Sequence, residues 1–583
     1  MEDDSDEEFV PNTQALSPAN CVSIQFTDGG VLVENAFENN GIVVTNNNGH
    51  VTIQSAISDT EVNYLVSGVT TDGSLKIYGS YKFTLMLNGT SITNPNGAAI
   101  NIQCSKKITV QVVDQTNNRL MDGAEYTQVD GEDMKATLFS EGQLNFTGTG
   151  NLSIRGKYKH AICTDDYFRM IDGNITIKEA ASDAIHANDY ILIDGGTLTT
   201  RSTGDGLDCE EGYITINGGN QAITTTGKKG HGLKSAGIIN INTTGNMDIS
   251  VAGIASKGLS SSADMTIYQG NINISTSGSA VYEADEADFS SPAGIKCDGN
   301  LLVENGTITI ASSGAGGKGI SADGNIVVNN GQLTITTTGD NFVYGNDNTA
   351  AKAIKSDANV TINGGAISIK TSKTEAEGLE SKNILTITGG TIEIEAYDDC
   401  INATNQIQIS GGQIYCNSTT NDGIDSHGTI SVSGGVVISL GAAAPEAGMD
   451  CDNNRFAITG GTVIGLGGST STPTASACTQ RSVVYNTNTS NIQTILIKSS
   501  DAKPVLTLKL PKTYKQSTCL LFSDAKMAAS TSYTISIGGT ISGGTNFHGI
   551  FADASWSGGS TASTFTTSSM VTTIGNSGAG GRP

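Results

Sequence analysis

No apolar run in this chain approaches the roughly 20 residues that a membrane-spanning helix requires, which excludes a helical membrane anchor within the sequence. Positive charge is scarce: 32 Lys and Arg stand against 57 Asp and Glu, a formal charge of -25 at pH 7. That balance repels phosphate backbones and anionic bilayers, so nucleic acid is not an expected partner. Helix formers at helical spacing are few, and nine prolines accompany 72 glycines and abundant Thr, Ser and Asn. Tryptophan, the usual platform for a sugar ring, occurs only as Trp556. The ten cysteines show no Cys-x-x-Cys spacing and no nearby histidine pairing, so buried thiols are expected instead of disulfides or thiolate metal sites. Residues 1–8, MEDDSDEE, have neither a basic n-region nor an apolar h-region and are not a signal peptide. An acidic tether that follows a removed signal, lipid-anchored in its precursor, would look like this.

What the sequence has is repetition. Between Glu375 and Gly461 four successive units each open on a small residue and an aliphatic one: Gly378-Leu379, Cys400-Ile401, Gly423-Ile424 and Gly448-Met449. About ten residues later comes a Gly-Gly pair, with apolar residues at every second position on both sides, as at Leu385, Ile387, Ile392 and Ile394. Period-two alternation indicates strands, and a repeat in the low twenties indicates a solenoid. Upstream, the aliphatic anchors continue at Ile162, Ile185, Leu207, Leu233, Leu259, Ile295, Ile320 and Ile354. Steps are about 22 to 26 residues, lengthened to 36 between Leu259 and Ile295 and to 34 between Ile320 and Ile354. Three short strands and three turns consume that length, whereas a leucine-rich repeat would show its own Leu and Asn pattern.

The expected fold is therefore all-β: a right-handed parallel β-helix of about twelve coils, the hand following the general bias of parallel crossovers. The expected domains are an acidic flexible leader (1–20), an N-terminal β cap with the first irregular coils (21–156), the regular β-helix (157–468), a β-rich C-terminal cap (469–554) and a flexible Ser/Thr/Gly tail (555–583). Caps are needed because a solenoid end is an open core and an unpaired strand edge.

Aligning the coils on their anchors sorts residues into columns. The position before the anchor is never larger than Cys, and the position two after it is another small column, from Cys209 to Cys451, that should point inward. The positions two before and one after the anchor should point outward. They read acidic in the first coils (Asp183, Asp205, Asp208), basic in the middle (His231, Lys234, Lys257, Lys296, Lys318, Lys352, Lys355) and acidic again at the end (Glu377, Glu380, Asp399, Asp422, Asp425, Asp450). The lysines can attract a polyanionic sugar, or they can simply pair with Asp298, Asp323 and Asp357. Tyr282 and Tyr344 sit on inserts that lengthen two coils, where functional loops are common. Lys234, Lys296, Lys355, Tyr282 and Tyr344 are thus the candidate carbohydrate-binding residues. Tyr167, Tyr190 and Tyr213 form an aromatic column better suited to tiling the surface than to carrying sugar rings.

Asp398, Asp399, Asp422, Asp425, Asp450 and Asp452 fall in three adjacent coils, where stacking brings outward carboxylates to about 5 Å spacing. Hard oxygen donors at that density suit calcium. Asp205, Asp208 and Glu210 form a second candidate calcium site.

The phrases GEDMKATLFSEGQLNFTGTGNLSIRGKYKHAICTDDYF, SDAIHANDYILIDGGTLT and AYDDCINATNQIQISGGQIYCNSTTNDGIDSHG resemble the bacterial carbohydrate-binding β-helix family. The likeness runs from about Val22 to about Pro511. It implies a pectate-lyase-like fold, a secreted or cell-surface location, a plant polysaccharide ligand such as pectin or cellulose, and bound calcium. Cys400 departs from the family's usual glycine but is still small. Fold is not function, and two further classes stay open. A calcium-dependent polysaccharide lyase would use Lys234, Lys296 or Lys355 as base, yet no lysine stands beside the dense Asp clusters in sequence and no Arg column exists to clamp a uronate. A structural adhesin rod would need no sugar. The expected protein is a monomeric carbohydrate-binding protein, with enzyme activity left open and, if there is any, of the pectate-lyase-like polysaccharide lyase kind.

Overall fold

The computed structural model describes residue 9 and residues 12–453, 455–487, 489–516 and 518–575. The acidic residues 1–8 lie outside the described residues. The chain divides into one compact unit of residues 1–299 with 306–308 and a second of residues 300–305 with 309–583. Both are almost entirely β-structure, and each is built around a parallel β-solenoid.

In the first unit the chain opens with two antiparallel pairs, Cys21–Thr27 with Gly30–Asn35 and Ile42–Asn47 with His50–Ser55. The second pair closes on Asn48-Gly49 with φ of 50° and 92°, the left-handed pair that a type I′ hairpin requires. From there strands stack in parallel. His50–Ser55, Ser74–Tyr78, Ile100–Gln103, Ala136–Ser140 and His160–Thr164 follow one another, with Val51, Leu75, Ile100, Leu138 and Ile162 in one register column. The column continues through Ile185, Leu207, Leu233, Leu259 and Ile295. Regular stacking therefore begins well before Lys157: the anchor column reaches back to Val51, across most of the stretch read from the sequence as a cap with irregular coils.

In the second unit Ile320, Ile354, Leu379, Ile401, Ile424 and Met449 are in register on six parallel strands. All twelve anchors are buried. The small residues beside them have a steric cause: a Cβ at Gly206 would stand 2.3 Å from Ile223 Cγ2. The column two after the anchor points inward, as expected, and its serines satisfy themselves on backbone carbonyls, as where Ser235 Oγ donates to Gly212 O at 2.9 Å and Ser381 Oγ to Ala358 O at 2.8 Å. All ten cysteines are free thiols, nine of them buried.

Beyond the last coil, Cys519–Ser523 runs antiparallel to both Thr462–Gly467 and Ser482–Asn486. A second sheet pairs Thr494–Ser499 with Pro504–Lys509 and Ser532–Ile537. Residues 555–575 depart from the flexible tail expected of them. Ser560–Thr566 pairs with Ser532–Ile537, Val571–Ile574 pairs with Ser482–Asn486, and Phe565 is buried in the local core. Composition misled here because Thr favours strands as readily as Val does. Among the described residues no helix is long and apolar enough to cross a membrane.

Candidate functional site

The residue two before each anchor lies where the chain turns into the anchor strand, and several such backbone N–H groups are met by a side chain of the preceding coil. Asp205 N–H donates to Asp183 Oδ1 at 2.6 Å, His231 N–H to Asp205 Oδ1 at 2.6 Å and Lys257 N–H to His231 Nδ1 at 2.9 Å. In the second unit Asp422 N–H donates to Asp399 Oδ1 at 2.9 Å, and Ala447 N–H to Asp422 Oδ1. This column is thus a capping ladder before it is anything else, which explains why Asp and His recur there. One oxygen of each capping carboxylate is committed to the backbone.

The second unit gathers the densest acid. Asp422, Asp425 and Asp450 each place a carboxylate oxygen within 4.8 Å of the others. Asp399, Asp422 and Asp425 are only 4%, 3% and 9% exposed. Burial, then the neighbouring carboxylates Asp425, Asp422 and Asp398, raise Asp399 to about 9; burial, Asp422 and Asp450 raise Asp425 to about 8. Of the other expected ligands, Asp452 is exposed, and Asp398 is half-buried beside Asp399. Asp450 Oδ1 accepts from Ser471 Oγ at 2.9 Å, and His427 Nε2 lies 3.3 Å from Asp425 Oδ2. One coil earlier the acids are compensated: Lys352 Nζ lies 2.7 Å from Glu377 Oε1 and 3.5 Å from Glu380 Oε2, and Lys382 pairs with Glu380. The cluster's donors are all hard oxygen, and they fit calcium.

The other expected calcium group is arranged differently. Lys234 Nζ stands 3.0 Å from Asp208 Oδ1 and 3.4 Å from Asp205 Oδ2, and His186 stands 2.9 Å from Asp208 Oδ2 and 3.3 Å from Glu210 Oε2. Burial, with Asp183, raises Asp205 to about 7. Burial would raise Asp208 too, but His186 and Lys234 hold it below the usual carboxylate value. Asp205, Asp208 and Glu210 are therefore drawn into contacts with Lys234 and His186, and Lys234 is drawn into the acids instead of standing open for a sugar. Beside them, His160, Asp183 and His186 bring one ligand atom each within 4.8 Å. The sequence reading missed both histidines. Their signal was positional: they occupy the same outward columns as the acids.

The remaining lysines are also partnered. Lys296 pairs with Asp298 and Lys355 with Asp357, both at 2.8 Å. Two others anchor the inserts, which are hairpins. Val281–Glu283 pairs with Asp288–Ser290 and Phe342–Tyr344 with Asp347–Thr349. Lys257 Nζ reaches Ala255 O at 3.2 Å and Ser290 Oγ at 3.5 Å; Lys318 Nζ donates to Thr349 Oγ1 at 3.0 Å and to Ala350 O. Burial, then neighbouring lysines, lowers Lys257 to about 8 and Lys318 to about 7. Tyr282 packs edge-on against Phe289, and Tyr344 is 53% exposed at its hairpin tip. Tyr167, Tyr190 and Tyr213 stack face to face, with centroids 4.4 and 5.1 Å apart.

The sequence profile of the carbohydrate-binding domain-containing proteins matches residues 47–316, 314–376 and 371–541. A carbohydrate-binding domain-containing protein of Acetivibrio thermocellus is 27% identical over 150 residues, 25% of this chain and 52% of the relative. The chain thus spans about half the length of the curated relative it matches. A solved polysaccharide lyase-like protein from C. thermocellum, a gadolinium derivative, overlaps 48% of this chain and 96% of its own, at 22% identity and a TM-score of 0.35.

Proposed function

The chain belongs to the family of carbohydrate-binding domain-containing proteins, and we propose that its ligand is a carboxylate-bearing polysaccharide of the pectin type, held outside the cell through calcium. The observation that carries this reading is the group Asp422, Asp425 and Asp450, with ligand oxygens within 4.8 Å of one another on the outer face of adjacent coils. A net charge of -25 repels a polyuronate unless something positive intervenes. The lysines offer little, since Lys234, Lys296 and Lys355 are all within ion-pair distance of acids. Calcium at the Asp cluster would supply that charge, with Asp422, Asp425 and Asp450 as ligands and Asp399 beside them. Bound there, the ion supplies positive charge and open coordination positions for a uronate carboxylate. Asp399 and Asp422, tied to backbone N–H groups, keep the oxygens in place without the ion.

The test is binding of full-length protein to polygalacturonate and to cellulose, in millimolar calcium and in excess chelator, with a parallel assay for unsaturated product. Retention on polygalacturonate that is lost in chelator, and lost in Asp425→Asn, supports the reading. Equal retention in chelator moves the sugar site away from the cluster, and unsaturated product would make the protein a lyase.

A further inference from the structure

We propose that His160, Asp183 and His186 form a binding site for a divalent transition-metal ion of the zinc class, distinct in donor chemistry from the all-oxygen Asp cluster. The three ligand atoms lie within 4.8 Å of one another. Asp183 Oδ2 is 3.0 Å from His160 Nδ1 and 3.8 Å from His186 Nδ1. A tetrahedral ion with bonds of about 2.0–2.2 Å holds its donors roughly 3.4 Å apart, between those two distances. All three residues are only 8% exposed.

Two observations favour a metal over a plain ion pair. His160 Nδ1 is shielded from solvent and makes no hydrogen bond with any described residue. Its 3.0 Å approach to Asp183 Oδ2 is of ion-pair distance but not aligned as a hydrogen bond, so the ring nitrogen lacks the hydrogen bond that buried polar atoms normally have. The carboxylate is also pre-aimed: Asp183 Oδ1 accepts the Asp205 N–H at 2.6 Å, which turns Oδ2 toward both rings. The rings themselves stack at 4.7 Å and 22°, which limits their rotation. His186 Nδ1 hydrogen-bonds Asp208 Oδ2 at 2.9 Å, a contact that an ion at this nitrogen would replace. Glu210 Oε2 lies 3.3 Å from His186 Nε2, the carboxylate support that metal-bound imidazoles usually have.

Imidazole nitrogen selects zinc, nickel or copper, whereas calcium takes oxygen. An ion here would join residues of two successive coils, those of Ile162 and Ile185. In the competing arrangement the two imidazoles only pair with Asp183 and Asp208, and no metal enters.

Full-length protein stripped with chelator should be titrated with zinc by calorimetry, and with cobalt while the d–d absorption of four-coordinate cobalt is followed. We expect one zinc per chain, not displaced by millimolar calcium, and at least tenfold weaker binding in both His160→Gln and His186→Gln. No zinc binding by wild type, or affinity within twofold of wild type in both variants, overturns the proposal. Should either variant fail to fold, histidine ring NMR of wild type decides: resonances of His160 and His186 must move with one equivalent of zinc, and static resonances overturn it.

Discussion

Asp399 Oδ1 accepts the backbone N–H of Asp422 at 2.9 Å, and the two residues hold the same position in successive coils. The bond that registers one coil on the next also prevents these carboxyl groups from swinging apart. Acid density is therefore built into the stacking, and something other than side-chain motion must relieve it.

The relief is a proton or a cation, which fixes the pH dependence. Asp399 and Asp425 are raised to about 9 and about 8, so the folded state binds their protons more tightly than the unfolded state does. The resulting stability is present below the unfolded carboxyl value near pH 4 and is lost as pH rises through 8 to 9. In chelator the unfolding midpoint should fall between pH 6 and pH 9, and millimolar calcium should remove most of that fall. Asp399→Asn should flatten the chelator curve. A wild-type midpoint in chelator that is constant over this range would show the carboxylates to be compensated already.

Lys318 predicts a local effect without a global one. Its Nζ donates to Thr349 Oγ1 and Ala350 O at the foot of the hairpin formed by Phe342–Tyr344 and Asp347–Thr349. Lys318→Met removes those bonds but also the cost of burying a charge. Hydrogen exchange in residues 342–349 should quicken by about tenfold, roughly the worth of one lost net hydrogen bond, while the global midpoint moves by only a few degrees. Unchanged exchange in the hairpin would mean that the lysine holds nothing.

Much of this was legible in the sequence because a solenoid repeats its instructions. Each anchor from Ile162 to Met449 could be placed by its small neighbour, helped at Ile185, Leu207 and from Ile354 onward by a following Gly-Gly, and in the structure all twelve are buried. The outward columns were legible as columns, and the pairs Lys296–Asp298 and Lys355–Asp357 as contacts, but contacts from one coil to the next were not. Sequence spacing cannot tell that Lys234 turns toward Asp205 and Asp208, or that Asp183 spends one oxygen on a backbone N–H, since both depend on the offset between neighbouring coils. His160 and His186 were passed over because one histidine per coil carries no spacing signal of its own. Coils before Lys157 were read as irregular although their anchors are similarly spaced, because Ile53, Ile77 and Ile102 stand where later coils carry a small residue two after the anchor, and no Gly-Gly follows.

The anchor register makes a stability prediction for the second unit. Leu379 is fully buried between Ile354 and Ile401. Leu379→Ala should cost about 2–5 kcal/mol, and Ile354→Asp should prevent folding or cause aggregation, because it buries an unpaired charge. Denaturant titration of the first and soluble yield of the second check both. A loss under about 1 kcal/mol for Leu379→Ala would contradict a close-packed core at that position.

The tyrosine column separates tiling from sugar recognition. Tyr190 lies between Tyr167 and Tyr213, with ring planes 12° and 5° from parallel. Both faces of the middle ring are therefore covered by its neighbours, and a sugar cannot stack on a face already occupied. Each aromatic pair is worth about 0.5–1.5 kcal/mol beyond the area it buries, so Tyr190→Ala, which breaks two pairs, should destabilise by about 1–3 kcal/mol. Affinity for polygalacturonate or cellulose should stay within twofold, because the Asp cluster proposed to hold calcium lies on other coils and is untouched. Measured side by side, the two quantities decide: lower stability with intact binding assigns the column to the fold, whereas a tenfold loss of affinity would make the tyrosine edges part of the carbohydrate surface.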